Sequence, residues 1–351
     1  MVYYFILYMS FILVAFFDFF NSKKASFVFF PIAILLATIV LIFRDMVGGY
    51  DLYVYGYYFE NILLIGNYYN YELGFYYINL FFSYFFSDRW YLFTLFGLVF
   101  LISVIVLGKQ LGSGVSHIFV FFVLLKLYFI SFTYLRQILA ISLYFLALVY
   151  LLRGAKLRYI LFLFFSSTIH ASLILGFLTL FLNKKIINKI YFIVGFFIVL
   201  FLGLFLKYFS FFKFIGLESG ISLFYFIEAI FLFFIFYSIR GYFEFNKFFL
   251  IYNLSIVYIY LCLFSSLFGS NFIRFLWIFS FAPIFCLIYY IMILRYKNPS
   301  LSLLYFILMI SYLTAGTIKY LTGFDDGVLM DYSTVFDQIK STGMHSYLEY
   351  R

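Results

Sequence analysis

Polar residues along the chain fall in short clusters, and long apolar runs separate them. The runs at 2–20, 26–43, 90–108, 115–132, 134–152, 158–182, 187–206, 221–239, 247–267, 272–294 and 300–320 each approach the roughly 20 residues a helix needs to cross a bilayer. A shorter apolar stretch lies at 74–87. Stretches such as Leu92–Leu107 are apolar on every face. They lack the alternation of apolar and polar positions that a membrane β-strand needs. The pattern therefore predicts an all-α polytopic integral membrane protein with about 11–12 transmembrane helices. There is no internal repeat and no soluble segment, so residues 1–351 read as a single membrane domain.

Composition strengthens this reading. Hydrophobic types make up 67% of the 351 residues, aromatics 28% and charged residues only 11%. A soluble domain has about 25% charged residues and cannot hide this much apolar surface. Disorder needs the opposite composition. The net charge of +9 does not imply nucleic acid, because the Lys and Arg residues sit in short connections where they set topology. Residues 1–20 lack a basic leader and a small-residue cleavage site, and Lys23 and Lys24 follow directly. A retained anchor with its N-terminus outside is expected. Cys262 and Cys286 lie in apolar runs and read as core residues.

The positive-inside rule places Lys23–Lys24, Arg153–Arg158, Lys184–Lys189, Arg240–Lys247 and Arg295–Asn298 in the cytoplasm. Two consequences follow for the other side. Residues 44–89 form an outer loop in which 74–87 is a juxtamembrane helix, with Glu72, Tyr76, Asn79 and Ser83 as one polar row. The run 158–182 must rise and return, breaking at the polar knot Ser166-Ser167-Thr168-Ile169-His170; broken helices are tolerated where they line a site. The alternative is one tilted span, which would push the later basic loops outside. The tail 323–351 is expected outside as well.

Charges sorted in this way gather on one surface rather than at the bilayer midplane. That favours an enzyme at the outer leaflet over an ion-coupled transporter. Asp51 follows the Gly48-Gly49 turn, where it would act as a helix cap or as a base that deprotonates a sugar hydroxyl. Arg44 would either pair with Asp45 or contact phosphate. Tyr50, Tyr53, Tyr55, Tyr57, Tyr58, Tyr68, Tyr69 and Tyr71 offer faces for sugar rings, although tyrosine is also the ordinary residue of the membrane interface. Arg136-Gln137 opens an otherwise apolar helix, and burying such a pair without a role is costly. His170 is either a structural hydrogen-bonder, a phosphate contact or a proton shuttle. Arg274 opens another outer helix end as an anchor or an anion contact. No ligand spacing for a metal is present, since His117, His170 and His345 lie in separate regions.

Taken in order, Arg44, Gly49-x-Asp51 with Tyr55, Glu72-x-Gly74-Phe75, Arg136-Gln137-x-x-Ala140, Ile169-His170-x-Ser172, Arg274 and Tyr332-Ser333 resemble the EpsG/Wzy-type exopolysaccharide polymerases over nearly the whole chain. Two departures stand out: Tyr50 where the family tends to have Thr, and Asp331 where it often has Pro. The resemblance implies a polymerase of undecaprenyl-diphosphate-linked oligosaccharide repeats. It would transfer the nascent glycan to a new lipid-linked repeat at the outer face of the bacterial cytoplasmic membrane. Asp51 is then the expected base and Glu72 the residue orienting the acceptor. Arg136, Arg274, His170, Arg44 and Gln137 would meet the lipid diphosphate, and Tyr55 and Tyr332 the sugars. No cofactor and no metal are expected. The expected partners are the lipid-linked oligosaccharides, membrane lipid, and a flippase and chain-length regulator of the same pathway.

The outer loop with its juxtamembrane helix also resembles GT-C glycosyltransferases. A transferase using a polyprenyl-phosphate sugar is thus one alternative, and a lipid-linked oligosaccharide flippase is another. A flippase calls for a charged passage and two-fold repeats, and neither is visible in the chain.

Overall fold

The structure is a computed structural model of the chain. It describes residues 2–20, 22–43, 50–112, 116–182, 185–208, 222–243, 248–268 and 270–323. Among these residues every regular element is helical. In chain order the helices are α1 (Val2–Phe19), α2 (Lys23–Ile42), α3 (Tyr50–Ile65), α4 (Leu73–Ser83), α5 (Arg89–Leu111), α6 (Ser116–Leu127), α7 (Ile130–Thr133) and α8 (Leu135–Leu152). They continue as α9 (Lys156–Ile169), α10 (Leu178–Leu182), α11 (Lys189–Tyr208), α12 (Leu223–Ile239), α13 (Phe249–Phe268), α14 (Ser270–Phe279), α15 (Phe281–Lys297) and α16 (Pro299–Gly323).

The chain is an all-α polytopic membrane protein. Six helices are long and apolar enough to cross a bilayer: Lys24–Ile42, Arg89–Leu111, Leu135–Leu152, Leu223–Tyr242, Phe249–Phe268 and Pro299–Thr322. The bent pair Phe272–Phe279 and Phe281–Lys297 makes a seventh, with a 43° break. Pro283 explains the bend, because it lacks an N–H and its ring crowds the carbonyl four residues back. The apolar runs near 2–20, 115–132 and 187–206 form shorter helices, Tyr3–Phe19, His117–Leu127 and Lys189–Phe205. Large apolar side chains point outward along many of these helices, among them Phe5, Phe27, Phe201 and Ile307. Such a surface is stable against lipid but not against water.

The run 158–182 is broken at the expected place. Helix α9 ends at Ile169, His170 is extended (φ −149°, ψ 116°), and a 3-10 turn covers Ala171–Phe177 before α10. The local cause is hydroxyl competition for backbone carbonyls. Ser167 Oγ donates to Phe164 O at 2.7 Å, Thr168 Oγ1 donates to Phe165 O at 2.7 Å, and Ser166 Oγ leaves the helix for Ala140 O at 2.7 Å.

Two compact units divide the chain, residues 1–174 with 300–351, and residues 175–299. In the first, α6, α7 and α8 are buried at the centre, and α8 and α9 form a tight antiparallel hairpin. Helices α5 and α8 run the same way, since Arg153 Nε donates to Gln110 Oε1 at 2.8 Å at their C-terminal ends. At that end Asp18 Oδ2 also accepts from Ile118 N at 3.3 Å, and Ser26 Oγ lies 2.8 Å from His117 Nδ1. Lys23, Lys24, Lys109, Arg153, Lys156 and Arg158 therefore mark one end of this unit. Arg136, Trp90 and Ile42 mark the other, where Trp90 Nε1 donates to Ile42 O at 2.5 Å.

The second unit is arranged around the buried α13. Asn253 holds the 182–187 connection: its Nδ2 donates to Leu182 O at 3.0 Å and Lys185 O at 2.9 Å, and its Oδ1 accepts from Ile187 N at 3.0 Å. Glu228, buried in α12, accepts from the Tyr258 hydroxyl at 2.6 Å.

Candidate functional site

Helix α4 and the residues before it build the site. Gly66 and Asn70 adopt positive φ (56° and 51°), which turns the chain back after α3. Asn67 holds that turn, with Oδ1 accepting from Tyr71 N and Nδ2 donating to Tyr71 O, both at 3.0 Å. Burial pushes the Tyr58 phenol above its ordinary range, so it stays a donor and reaches Asn67 Oδ1 at 3.3 Å. The turn delivers Tyr71 and Glu72 to the N-terminus of α4.

Glu72 occupies the capping position, yet its side chain makes no capping bond. Its carboxylate reaches outward instead. Oε2 accepts from Arg136 Nη1 at 2.5 Å, and Oε1 accepts from the Ala171 backbone N–H at 3.1 Å. One carboxylate thus ties together α4, the start of α8 and the break after α9. The Arg136 guanidinium lies over the Tyr71 ring at 4.9 Å and beside Phe75 at 5.9 Å, a cation–π arrangement. Its Nε is buried with no acceptor among the described residues. The pair is not sealed off: the side chains are 19% and 27% exposed for Arg136 and Glu72.

His170 adjoins Ala171. Its Nδ1 lies 2.7 Å from Ser172 Oγ and accepts from Ser172 N at 3.3 Å. An accepting Nδ1 leaves the proton of a neutral imidazole on Nε2.

The glycine of Glu72-x-Gly74-Phe75 has a steric reason. A Cβ on Gly74 would lie 2.8 Å from the backbone C and O of Thr168. Real Cβ atoms do not approach backbone that closely, and a backbone cannot rotate away. Gly74→Ala is therefore expected to lift α4 off α9, costing about 1–3 kcal/mol and drawing Glu72 off Ala171. Thermal unfolding of the purified variant checks the first effect and loss of activity the second; an unchanged melting temperature with full activity contradicts both.

Several expected site residues are placed differently. Tyr55 is buried (8% exposed) against Tyr71 at 5.8 Å and Phe75 at 5.6 Å. It is a packing ring and has no open face for a sugar. The row Glu72, Tyr76, Asn79, Ser83 is not an exposed polar face: Glu72, Tyr76 and Ser83 are half-buried and Asn79 is buried. Asn79 is fully buried and donates to Phe75 O at 2.8 Å, while Ser83 Oγ donates to Leu80 O at 2.8 Å. The outward stripe of α4 is apolar: Leu73, Tyr77 and Phe81. Buried amides and hydroxyls can satisfy themselves on their own helix, so polar residues at helical spacing need not mark the wet face. Gln137 is also buried, about 100° around the helix from Arg136.

Glu60 pairs with Arg89 at 2.9 Å, and Asp88 caps α5 by accepting from Trp90 N at 2.7 Å. Asp51 is the second residue of α3, inside the helix rather than before it; its side chain lies outside what is described. Arg44, Asp45 and Tyr332 lie outside the described residues. Arg274 stands half-buried on α14 of the second unit. Missed from sequence were Tyr71 as the ring beneath the guanidinium, Ala171 as a backbone donor, and Thr168 as the surface against Gly74. Only the adjacency of Tyr71 to Glu72 hinted at the first.

Beside this cluster runs an apolar groove of ≈ 390 Å³ between α4 and α9, with Leu73, Gly74, Tyr77, Phe81, Phe165 and Thr168 in its walls. Among the described residues no group of His, Cys, Asp and Glu could hold a metal ion.

Fold and site together define a polytopic membrane protein with a charged cluster at one end of a helical unit, opposite the basic end. The EpsG family model matches residues 27–333, and the chain belongs to the EpsG family. No curated protein and no solved structure matches the chain.

Proposed function

We propose that this protein polymerises undecaprenyl-diphosphate-linked oligosaccharide repeats at the outer face of the bacterial cytoplasmic membrane. The observation that carries the reading, within a chain of the EpsG family, is the Glu72–Arg136–Ala171 cluster at the end opposite the Lys- and Arg-rich end of the same unit. Connections rich in Lys and Arg are retained in the cytoplasm, so the cluster is assigned to the outer face.

In the proposed reaction a hydroxyl of the acceptor repeat attacks the anomeric carbon of the growing glycan. The new glycosidic C–O bond forms as the anomeric C–O bond to the diphosphate breaks. The hydroxyl proton passes to a carboxylate, and undecaprenyl diphosphate leaves with the electron pair. Its negative charge grows in the transition state, where a fixed guanidinium stabilises it. Arg136 is assigned to that charge. Both oxygens of Glu72 are engaged by donors, so Glu72 is assigned to positioning Arg136 and the acceptor, and Asp51 to the proton.

Deleting the gene tests the reaction. Single lipid-linked repeats should accumulate and long polysaccharide should disappear, with both restored by the wild-type gene. Persistence of long chains overturns the reading. Orientation is tested by membrane-impermeant maleimide on intact cells. Cys262 and Cys286 are fully buried and stay silent. Gly48→Cys and Met330→Cys should react, and Ala155→Cys and Asn298→Cys should react only after lysis. Reaction at position 155 in intact cells contradicts the orientation.

A further inference from the structure

We propose that the groove between α4 and α9 seats the isoprenoid chain of the lipid carrier, with its anionic head at Arg136. The inference rests on the polymerase reading for the identity of the ligand, and on the groove for its place.

The first argument is the direction of α4. Its outward stripe, Leu73, Tyr77 and Phe81, is apolar, while Asn79 is turned in and satisfied on its own helix. A helix lying only at the water interface would show the opposite arrangement. The second is continuity. The groove starts at Leu73 and Gly74, directly after Glu72, and its other wall holds Thr168, three residues before Ala171. An apolar groove thus begins within a few residues, along both α4 and α9, of the Glu72–Ala171 contact that holds Arg136. That pairing matches an amphiphile with one apolar chain and an anionic head, by charge at one end and burial along the rest.

The third is size. A groove of ≈ 390 Å³ is at the small end of small-ligand sites and admits part of one chain rather than a whole lipid. That is the head-proximal part of one chain. The remainder would run on in the bilayer. The head would meet the guanidinium edge that Glu72 does not use, while Nη1 stays on the Glu72 carboxylate and the guanidinium keeps its seat over Tyr71.

Ile78 lines the groove and belongs to neither the charged cluster nor the proposed chemistry. Ile78→Trp should fill the groove and Phe81→Ala should widen it. Full-length protein in nanodiscs is assayed with repeat units on diphosphates of the full-length isoprenoid and of a two-unit isoprenoid. Wild type should favour the long chain through KM, and Ile78→Trp should raise that KM about tenfold with kcat and the short-chain KM unchanged, equivalent to about 1.4 kcal/mol. Equal treatment of both substrates by wild type and variant overturns the groove.

A second measurement does not depend on turnover. A photoreactive diazirine placed in the first units of undecaprenyl diphosphate should crosslink to peptides holding 77–82 and 165–168, and lose them in Ile78→Trp. Should that variant not fold, Phe81→Ala serves, with crosslinks shifted along α4. Labelling spread evenly over lipid-facing helices, as for bulk lipid, overturns the proposal. Specific crosslinks in a protein without polymerase activity would reject the polymerase reading and keep the groove.

Discussion

Arg136→Lys is expected to lower polymerisation about a hundredfold and leave the fold in place. The guanidinium does two things that an ammonium cannot. It sits over the Tyr71 ring with a planar, delocalised charge, and it presents several donors in one plane, one of them already on Glu72. Lysine keeps the charge, so the tie to Glu72 survives in weakened form. It loses the planar fork suited to phosphate. A hydrogen bond to a charged group contributes about 1.5–3 kcal/mol, and each 1.36 kcal/mol is tenfold in rate. The loss should appear in turnover by the purified enzyme, with the melting temperature shifted by only a few degrees. Wild-type turnover at equal expression removes Arg136 from the reaction. The double exchange Glu72→Arg with Arg136→Glu separates the two roles. If Arg136 only ties α4 to α8, the reversed pair recovers part of the activity that either single exchange loses, although arginine at 72 cannot accept from Ala171 N–H. If it meets the diphosphate, the exchanged protein folds and stays inactive.

Asp51→Asn should lower turnover by about 10²–10⁴-fold, the usual contribution of a positioned general base, with binding of the lipid-linked substrate retained. Glu60 and Glu72 are the informative controls. Glu60 sits in a partly exposed pair with Arg89, 31% and 19% exposed respectively. Such pairs contribute about 0–1 kcal/mol, so Glu60→Gln should be nearly silent. Glu72→Gln should impair activity through Arg136, lowering kcat by less than Asp51→Asn does. Near-normal turnover in Asp51→Asn together with a collapse of kcat in Glu72→Gln would move the base to Glu72.

Some of the site is legible in the amino-acid sequence. Arg136 stands in an apolar helix, and a charge there is too costly to be idle. The knot Ser166–His170 announces a break because Ser167 and Thr168 in succession compete with the helix for its own carbonyls. Contacts between distant segments are another matter. Glu72 and Arg136 are separated by 64 positions, and Glu72 and Ala171 by 99. Nothing in local spacing says that these three meet. The row through Asn79 has a helical period, but period alone does not say which face is wet. Tyr55 is one tyrosine among many, and only its neighbours Tyr71 and Phe75 turn it into a core ring.

By itself the sequence determined the class of protein. Apolar runs near the span length, scarce charge and basic connections leave helices in a bilayer as the stable outcome, because each helix satisfies its own backbone and the charge bias orients it. Tertiary structure alone decided the partners of those helices: that Gly74 lets α4 press onto Thr168, that Glu72 then reaches both Arg136 and Ala171, and that the apolar side of α4 turns out to form a groove. The physical reason is the range of the forces. Hydropathy and helix breaking act within a turn or a span, whereas an ion pair between distant segments depends on how every helix between them packs.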